Sequence, residues 1–257
     1  MKKASLLILT IFISFCLHAQ PPLELTFPDY QFLSFQHSFE RVKTAASKNE
    51  PAMKKMFADK NITYPCPNIL FRVFKSTNDF EMWARNSIAD TFVLIKNYKI
   101  CALSGILGPK RYEGDKQVPE GFYFIEDFNP KSNYHLAMLL NYPNYSDMMI
   151  GDKEHPGGDI CIHGKCMTVG CMPMTDEFIE EIYAICVASR TNGELNIPVQ
   201  IYPLRFTQKG LDYLGREYKN EEGKHRFWVN MKRAYDYFEA THKTLPVMYD
   251  DKGDYAF

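Results

Sequence analysis

Residues 159–176 form the densest cluster of reactive side chains in this chain. Cys171 follows Gly170, and a glycine lets the backbone turn tightly and approach a ligand closely. A helix is predicted to begin at Thr175, with Asp176 in its first turn, where the helix dipole favours negative charge. A thiol near a helix N-terminus or a protonated histidine has a lowered pKa, so Cys171 is predicted to be a nucleophile.

His163 is the predicted general base for this thiol. It ends a short strand predicted over residues 159–163, and a strand end that leads into a turn and a helix can bring a base and a thiol face to face. Such a base needs a third group that fixes its tautomer. No aspartate or asparagine follows at a telling position, so the backbone carbonyl of Gly164 is predicted to orient the ring. His155 is expected to matter much less.

Three other interpretations of these cysteines stay open at this point. Cysteine is among the most buried residue types, so Cys171 could simply pack in the core. A disulfide between Cys161 and Cys166 would leave Cys171 free and is compatible with catalysis. A zinc site is a third option, although four residues between successive cysteines is not a familiar zinc spacing. Its candidate ligands are His155, Cys161, His163, Cys166 and Cys171.

The rest of the sequence predicts the elements that would position this segment. Residues 68–101 are rich in β-formers interrupted by turn residues, which predicts a β-meander. The predicted fold class is α+β, with a mainly β core and helices at both ends. Aromatic residues in the last helices are expected to pack in the core. Further strands are predicted over 122–125, 134–141, 159–163 and 197–202, and helices over 36–48, 175–189 and 208–242, the last broken near 220–223.

The first residues resemble an export signal. A short basic start, an apolar stretch and a small residue, Ala19, predict a signal peptide over residues 1–19. We therefore expect an exported protein in the periplasm or cell envelope. An uncleaved anchor and lipidation at Cys16 are the alternatives. No other segment is apolar enough to span a membrane, so no stable span is expected after the signal is removed.

Composition narrows the range of functions. The formal net charge is -1, so the sequence offers no argument for nucleic acid as a partner. At 46% hydrophobic residues the chain can bury a sizeable core. Residues 20–257 fit one decorated domain or two small ones. The predicted division is an N-terminal helical or irregular segment over 20–67, a catalytic domain over 68–205 and a C-terminal helical extension over 206–257.

The pair His163-Gly164 followed by Thr168-Val169-Gly170-Cys171 resembles the signature of the L,D-transpeptidase (YkuD-like) catalytic domain family. In many members the two halves lie further apart and a histidine precedes the Gly-Cys pair. The short spacing and Val169 resemble the YafK-like branch of the family. The resemblance covers roughly residues 68–205. It includes further stretches at 104–111, 113–115, 119–123, 128–130, 141–144 and 201–205.

This resemblance implies a mainly β catalytic domain with a cysteine nucleophile and neither metal nor cofactor. Members of the family attack the carbonyl between meso-diaminopimelate and a terminal D-alanine in peptidoglycan stem peptides, forming a thioester. An amine of another stem peptide, or of a wall-attached lipoprotein, then takes the acyl group. If water takes it, the enzyme is a hydrolase, and some YafK-like members are thought to detach protein from the wall. A non-catalytic wall-binding protein is the remaining alternative.

The resemblance also implies substrate-binding residues. Because the stem peptide bears carboxylates, an arginine clamp is expected, and Arg205 and Arg111 are the candidates. Gly170 and Thr168 belong to the matched signature and are candidates as well. The backbone N–H groups of Cys171 and a neighbour are expected to form an oxyanion hole. The long loop over residues 104–121 is expected to cover the site.

Overall fold

The computed structural model describes residues 29–257, so the predicted signal peptide and Cys16 lie outside the described residues. Among residues 29–257, no helix combines the length and the apolar character that crossing a bilayer requires. The α+β fold class is confirmed, because one large sheet is packed between helices from both ends of the chain.

Eight strands form the central sheet, in the order β3-β2-β1-β8-β4-β5-β6-β7. The β1–β8 and β6–β7 pairs are parallel, and the other pairs are antiparallel. The meander predicted for residues 68–101 is confirmed as β1, β2 and β3. The strands are β1 (Ile69–Phe74), β2 (Asp79–Ala84), β3 (Val93–Lys99), β4 (Gly121–Asn129), β5 (Ala137–Leu140), β6 (Cys161–His163), β7 (Met172–Pro173) and β8 (Ile197–Tyr202).

Both faces of the sheet centre are buried, which is why β1 shows no alternation of apolar and polar residues. Phe71 and Val73 face one hydrophobic cluster, while Phe74 faces another. Helices cover both sides. They are α1 (Tyr30–His37), α2 (Glu40–Ala58), α3 (Tyr145–Ile150), α4 (Asp176–Thr191), α5 (Gln208–Glu217) and α6 (Glu222–Thr241).

The N-terminal helices pack against α4 on one face of the sheet. The helix predicted over 36–48 is two helices, α1 and α2, separated at Ser38 and Phe39. Helix α2 continues through Pro51 to Ala58, although proline removes a backbone donor and usually breaks a helix. Burial of Val42, Met53 and Phe57 against the core stabilises the helix across that point.

The C-terminal helices cover the opposite face, and the expectation that their aromatic residues pack in the core is confirmed for only part of the set. Trp228, Tyr235 and Phe238 of α6 are buried, whereas Tyr213 of α5 and Tyr237 of α6 are exposed. The Trp228 indole N–H donates to Glu120 at 2.7 Å. The guanidinium of Arg72, on β1, is fully buried beneath α6 and pairs with Glu239 at 2.8 Å. These contacts make α6 a structural layer of the fold.

Small elements were missed by the sequence patterns. They are α3, β7 and a terminal two-stranded sheet of β9 (Met248–Tyr249) and β10 (Tyr255–Ala256). Two-residue strands carry no period that a sequence pattern could reveal. Of these elements, β7 matters most for chemistry, because it directly follows Cys171.

Candidate active site

Two short parallel strands hold the candidate thiol and histidine side by side. Strands β6 and β7 pair with Ile162 opposite Met172, and both of these side chains are fully buried. Because successive side chains of a strand point to opposite faces, Cys161 and His163 share the other face of β6. Cys171 comes one residue before Met172 and therefore lies beside both of them.

His163 is buried and oriented by a backbone carbonyl. Its Nδ1 lies 2.6 Å from the carbonyl oxygen of Gly164, the contact expected from the sequence. A proton on Nδ1 donates to that carbonyl and leaves Nε2 as the acceptor for a proton. The ring of Tyr134 packs against the imidazole at an interplanar angle of 39°, with 4.7 Å between ring centroids. The catalytic roles of His163 and Gly164 stay predictions.

The environment of Cys171 favours its thiolate. The neighbouring Cys161 thiol is the main cause that lowers the pKa of Cys171 well below the ordinary value, although partial burial opposes it. The nearby imidazole of His163 lowers the pKa further. The backbone N–H of Cys161 also points to the Cys171 Sγ, at 3.4 Å. A lowered pKa makes a cysteine a better nucleophile at neutral pH.

The predicted helix start contributes differently from expectation. Thr175 caps α4 by accepting from the Phe178 N–H at 3.3 Å, and Asp176 opens the helix. Strand β7 lies between Cys171 and that cap, so the groups that lower the thiol pKa are neighbouring side chains and a backbone amide of β6. Asp176 instead accepts from the Lys165 N–H at 2.9 Å and holds the loop after His163.

Thr168 and Gly170 shape the loop that presents the thiol. The Thr168 hydroxyl donates to the Cys171 carbonyl, and the Gly170 N–H donates to the Ser104 hydroxyl, both at 2.7 Å. Gly170 has φ +111°, and a Cβ there would lie 3.1 Å from the Gln117 carbonyl oxygen. Only glycine fits this position without strain. The Gly170 N–H is occupied, so it is not available for the oxyanion hole expected at Cys171 and a neighbour.

The disulfide considered between Cys161 and Cys166 is wrong. Cys166 is bonded to Cys101, with 5.5 Å between their Cα atoms, and Cys161 is free. The reason is geometric: Cys161 faces the cavity beside Cys171, whereas Cys166 lies in the following loop, against the end of the meander. The bond ties the loop that carries Cys171 to the segment that follows β3.

The same bond bears on the zinc alternative. Cys166 was one of five candidate ligands, and its sulfur is engaged with Cys101. In the part of the chain that the structure describes, His, Cys, Asp and Glu side chains form no group of three that could hold a metal ion.

A cavity of about 410 Å³ opens beside the thiol. Cys161, His163 and Cys171 line it from the strands, and the turn 129–134 lines it from across the sheet. This turn joins β4 to β5 and reaches the site because Ala137 of β5 pairs with His163. The turn 129–134 is brought beside Cys171 by the pairing of β5 with β6 and not by closeness in sequence.

Several residues of this cavity were not assigned to the acyl-transfer site from the sequence, although Cys161 was considered as a zinc ligand and as a disulfide partner. Tyr134 packs against the imidazole, and the backbone N–H of Cys161 points to the Cys171 Sγ. Lys131 and Asp159 add charges of both signs at the rim. Their only signal in the sequence was nearness: Cys161 lies two residues before His163, and 128–130 belongs to the stretches that resemble the family.

The two candidate clamp arginines lie elsewhere. Arg205 lines a separate cavity of about 710 Å³ and pairs with Asp79 at 3.2 Å and with Glu81 at 2.5 Å. Arg111 pairs with buried Asp147 at 3.3 Å. Each guanidinium already has a carboxylate partner within the chain. Neither arginine lines the cavity beside Cys171, so the structure lends no support to the predicted clamp.

The loop over 104–121 is anchored rather than free to close over the thiol. The ammonium of buried Lys75 donates to the carbonyls of Ile106, Gly108 and Val118 at 2.9–3.0 Å. Lys75 also pairs with buried Glu120 at 3.0 Å. Burial lowers the pKa of Lys75, and the Glu120 carboxylate opposes that shift. The turn 129–134, not this loop, lines the cavity beside Cys171.

Comparisons with known proteins agree with the sequence resemblance. The family model of the L,D-transpeptidase catalytic domain (YkuD) matches residues 73–201. Over 177 residues the chain is 33% identical to YafK of Escherichia coli (strain K12), whose name assigns it provisionally to the L,D-transpeptidases. The match covers 68% of each chain, and YafK of Escherichia coli O157:H7 gives the same values.

Solved structures with a related arrangement come from two other bacteria. One is the helical cell shape determining protein Pgp2 of Campylobacter jejuni, with 17% identity and a TM-score of 0.43. That match covers 72% of this chain and 73% of Pgp2. The other is Bd1075 of Bdellovibrio bacteriovorus, with 19% identity and a TM-score of 0.41, covering 74% of this chain and 65% of that one.

Proposed function

The chain belongs to the L,D-transpeptidase catalytic domain family, and on that premise we propose that it is a peptidoglycan-modifying cysteine acyltransferase. Cys171 attacks the carbonyl that follows diaminopimelate in a stem peptide, D-alanine leaves, and the acyl group is held as a thioester. An amine of a second stem peptide then takes the acyl group. The observation that carries the proposal is that Cys171 and a buried, carbonyl-oriented His163 line the same cavity.

The hydrogen-bonding arrangement of His163 supports the proton transfers that this chemistry needs. His163 has one ring nitrogen held by the Gly164 carbonyl and the other available to the thiol. It can take the proton of Cys171 and return it to the leaving amine of D-alanine. In the second step it takes a proton from the incoming amine. A backbone carbonyl in place of an acidic third residue fixes the tautomer without adding negative charge beside the thiolate.

The charges at the rim support a zwitterionic peptide as substrate. Lys131 and Asp159 line the same cavity as the thiol, and both are exposed. A diaminopimelate side chain carries one ammonium and one carboxylate, and D-alanine adds a further carboxylate. We assign the carboxylate contact to Lys131 instead of the two arginines expected from the sequence.

The same thioester can be resolved by water, which would make the protein a carboxypeptidase or an amidase that releases protein from the wall. An amine wins only if it is held within about 3–3.5 Å of the carbonyl while water is limited. Export by residues 1–19, which would bring the protein to mature peptidoglycan, belongs to this proposal too.

Two experiments test the proposal in sequence. A carbapenem should acylate Cys171 and give a mass-shifted protein, whereas the Cys171→Ser variant should not be labelled. Purified tetrapeptide muropeptides should then yield cross-linked dimers, read by mass spectrometry. Tripeptides alone would indicate a hydrolase. Peptidoglycan that carries a lysine-linked protein is the second substrate, and release of that protein would indicate the detaching activity. If none of these substrates changes, the cell-wall assignment is wrong.

A further inference from the structure

The active site contains a second free thiol that the proposed acyl transfer does not require. Ile162 of β6 pairs with Met172 of β7. Cys161 directly precedes Ile162 and Cys171 directly precedes Met172, so the two cysteines lie side by side. Both sulfurs lie 3.5 Å from the carbonyl oxygen of Asp159, and the backbone N–H of Cys161 points to the Cys171 Sγ at 3.4 Å. Both side chains are partly exposed to the cavity.

This arrangement suits a disulfide between the two. Neighbouring strands lie about 4.7–4.9 Å apart, and disulfide-bonded residues have Cα atoms about 4.4–6.8 Å apart. Both side chains point to the same face, because their neighbours Ile162 and Met172 are buried on the other. Closing an S–S bond therefore needs rotation of side chains and little movement of the backbone.

The other described cysteines are not placed to serve as partners. Cys166 is engaged with Cys101. Cys186 is buried in α4, and Cys66 is buried with its thiol donating to the Asn68 and Arg85 carbonyls. Among residues 29–257, Cys161 is thus the one other free thiol that lines the cavity beside Cys171.

We propose that Cys161 is a resolving thiol, which traps a peroxide-oxidised Cys171 as a Cys161–Cys171 disulfide and so makes oxidation of the nucleophile reversible. The thiolate of Cys171 attacks a hydroperoxide, the O–O bond breaks, and a hydroxide or alkoxide leaves. Cys171 becomes a sulfenic acid. The Cys161 sulfur then attacks the Cys171 sulfur, the S–O bond breaks, and the departing hydroxide takes the Cys161 proton as water. The two thiols lose two electrons and the peroxide gains them.

The consequence is protection. A sulfenic acid that meets no thiol can be oxidised further to sulfinic acid, which reductants do not restore. A partly exposed cross-strand disulfide is accessible to thiol exchange, so a reductant can return Cys171 to its active form. The thiolate that makes Cys171 nucleophilic also makes it sensitive to peroxide, and Cys161 lies where it can limit that damage.

The test uses mass and alkylation, so it does not depend on the acyl transfer being correct. Purified full-length protein is treated with hydrogen peroxide and digested with trypsin without reduction. Lys165 separates the two cysteines, so a disulfide joins peptide 154–165 to peptide 166–190, and fragmentation of the joined peptides assigns the link to Cys171 rather than to Cys166 or Cys186. Wild type should lose about 2 Da and show that link. Reductant should restore iodoacetamide alkylation of Cys171 to nearly its untreated extent.

The Cys161→Ser variant should instead gain about 32 Da at Cys171, as sulfinic acid, and reductant should restore little of its alkylation. The matched control is Cys101→Ser/Cys166→Ser, which removes the other pair and should still form the Cys161–Cys171 link. Sulfinic acid at Cys171 in wild type without the link would overturn the proposal. Equal recovery in Cys161→Ser would do the same. If that variant fails to fold, the presence or absence of the link in wild type decides alone.

Discussion

The cavity lined by Arg205 and the cavity lined by Cys171 differ in whether their polar side chains are already paired within the chain. The larger, about 710 Å³, is lined by Arg205 and Lys75. Arg205 is paired with Asp79 and Glu81, and Lys75 with Glu120. The smaller, about 410 Å³, is lined by Cys171 and a histidine that has a free acceptor nitrogen. Paired charges hold the first cavity in shape, while the second keeps groups that can still exchange a proton.

Under the proposed function, the active site is the smaller of these two cavities. A buried ion that loses its partner is strongly destabilising, so ion pairs such as Lys75–Glu120 are constrained to stay as they are. A thiol beside an imidazole gains reactivity from the same closeness. The comparison predicts that substitutions at the smaller cavity abolish chemistry, whereas substitutions at the larger cavity lower stability.

The strongest test of this contrast is the nucleophile itself. Cys171→Ser should fold, because the side chain is partly exposed and the change is close to isosteric, and it should lose carbapenem labelling and turnover completely. Intact-mass measurement checks the loss of carbapenem labelling, and muropeptide analysis checks the loss of turnover. Labelling of another cysteine at the wild-type rate would move the reactive centre elsewhere.

Loss of the base should have the next largest effect. His163→Ala removes the proton acceptor, which commonly contributes about 100-fold to 10,000-fold in rate. His155→Ala is the matched control, since His155 is exposed and does not line the cavity, and it should cost much less. Initial rates of turnover for the two variants decide the point, and the reverse ranking would contradict the assignment.

The pH dependence of labelling should depend on Cys161. Its thiol stabilises the Cys171 thiolate, so Cys161→Ala should raise the pKa of Cys171. Labelling of wild type should persist to lower pH, and the variant's profile should move up by about one unit, the size expected for one weak hydrogen bond to a charge. Cys161→Ser, which keeps a donor, should lie between them. If neither substitution changes the pH profile of labelling, Cys161 does not stabilise the Cys171 thiolate.

The smallest effect on chemistry is expected at the larger cavity. Arg205→Gln removes one cationic partner from Asp79 and Glu81, which keep Lys99 and Arg72 respectively, and should lower the free energy of unfolding by about 1–3 kcal/mol. The carbapenem labelling rate at Cys171 should change less than about twofold, within ordinary scatter for a distant site. Urea unfolding and labelling kinetics measured on one preparation separate the two. A large loss of labelling in a folded protein would restore Arg205 as a substrate-binding residue.

The sequence by itself determined the fold class, most strand and helix positions, and the segment in which the reactive side chains lie. Those features follow from local patterns: β-formers between turn residues at 68–101, a helix cap at Thr175, and a glycine before Cys171. The contact between His163 and the Gly164 carbonyl was also predictable, because the two residues are neighbours along the chain.

Only the tertiary structure decided which distant groups share the site. The register of β6 against β7 places Cys161 beside Cys171, and the β5–β6 pairing brings Tyr134 over His163. The partner of Cys166 and the intramolecular pairing of the arginines are likewise contacts between residues far apart in sequence. Local propensity acts over a few residues, whereas strand register and charge pairing are set by packing of the whole sheet, so the sequence patterns carried no signal for them.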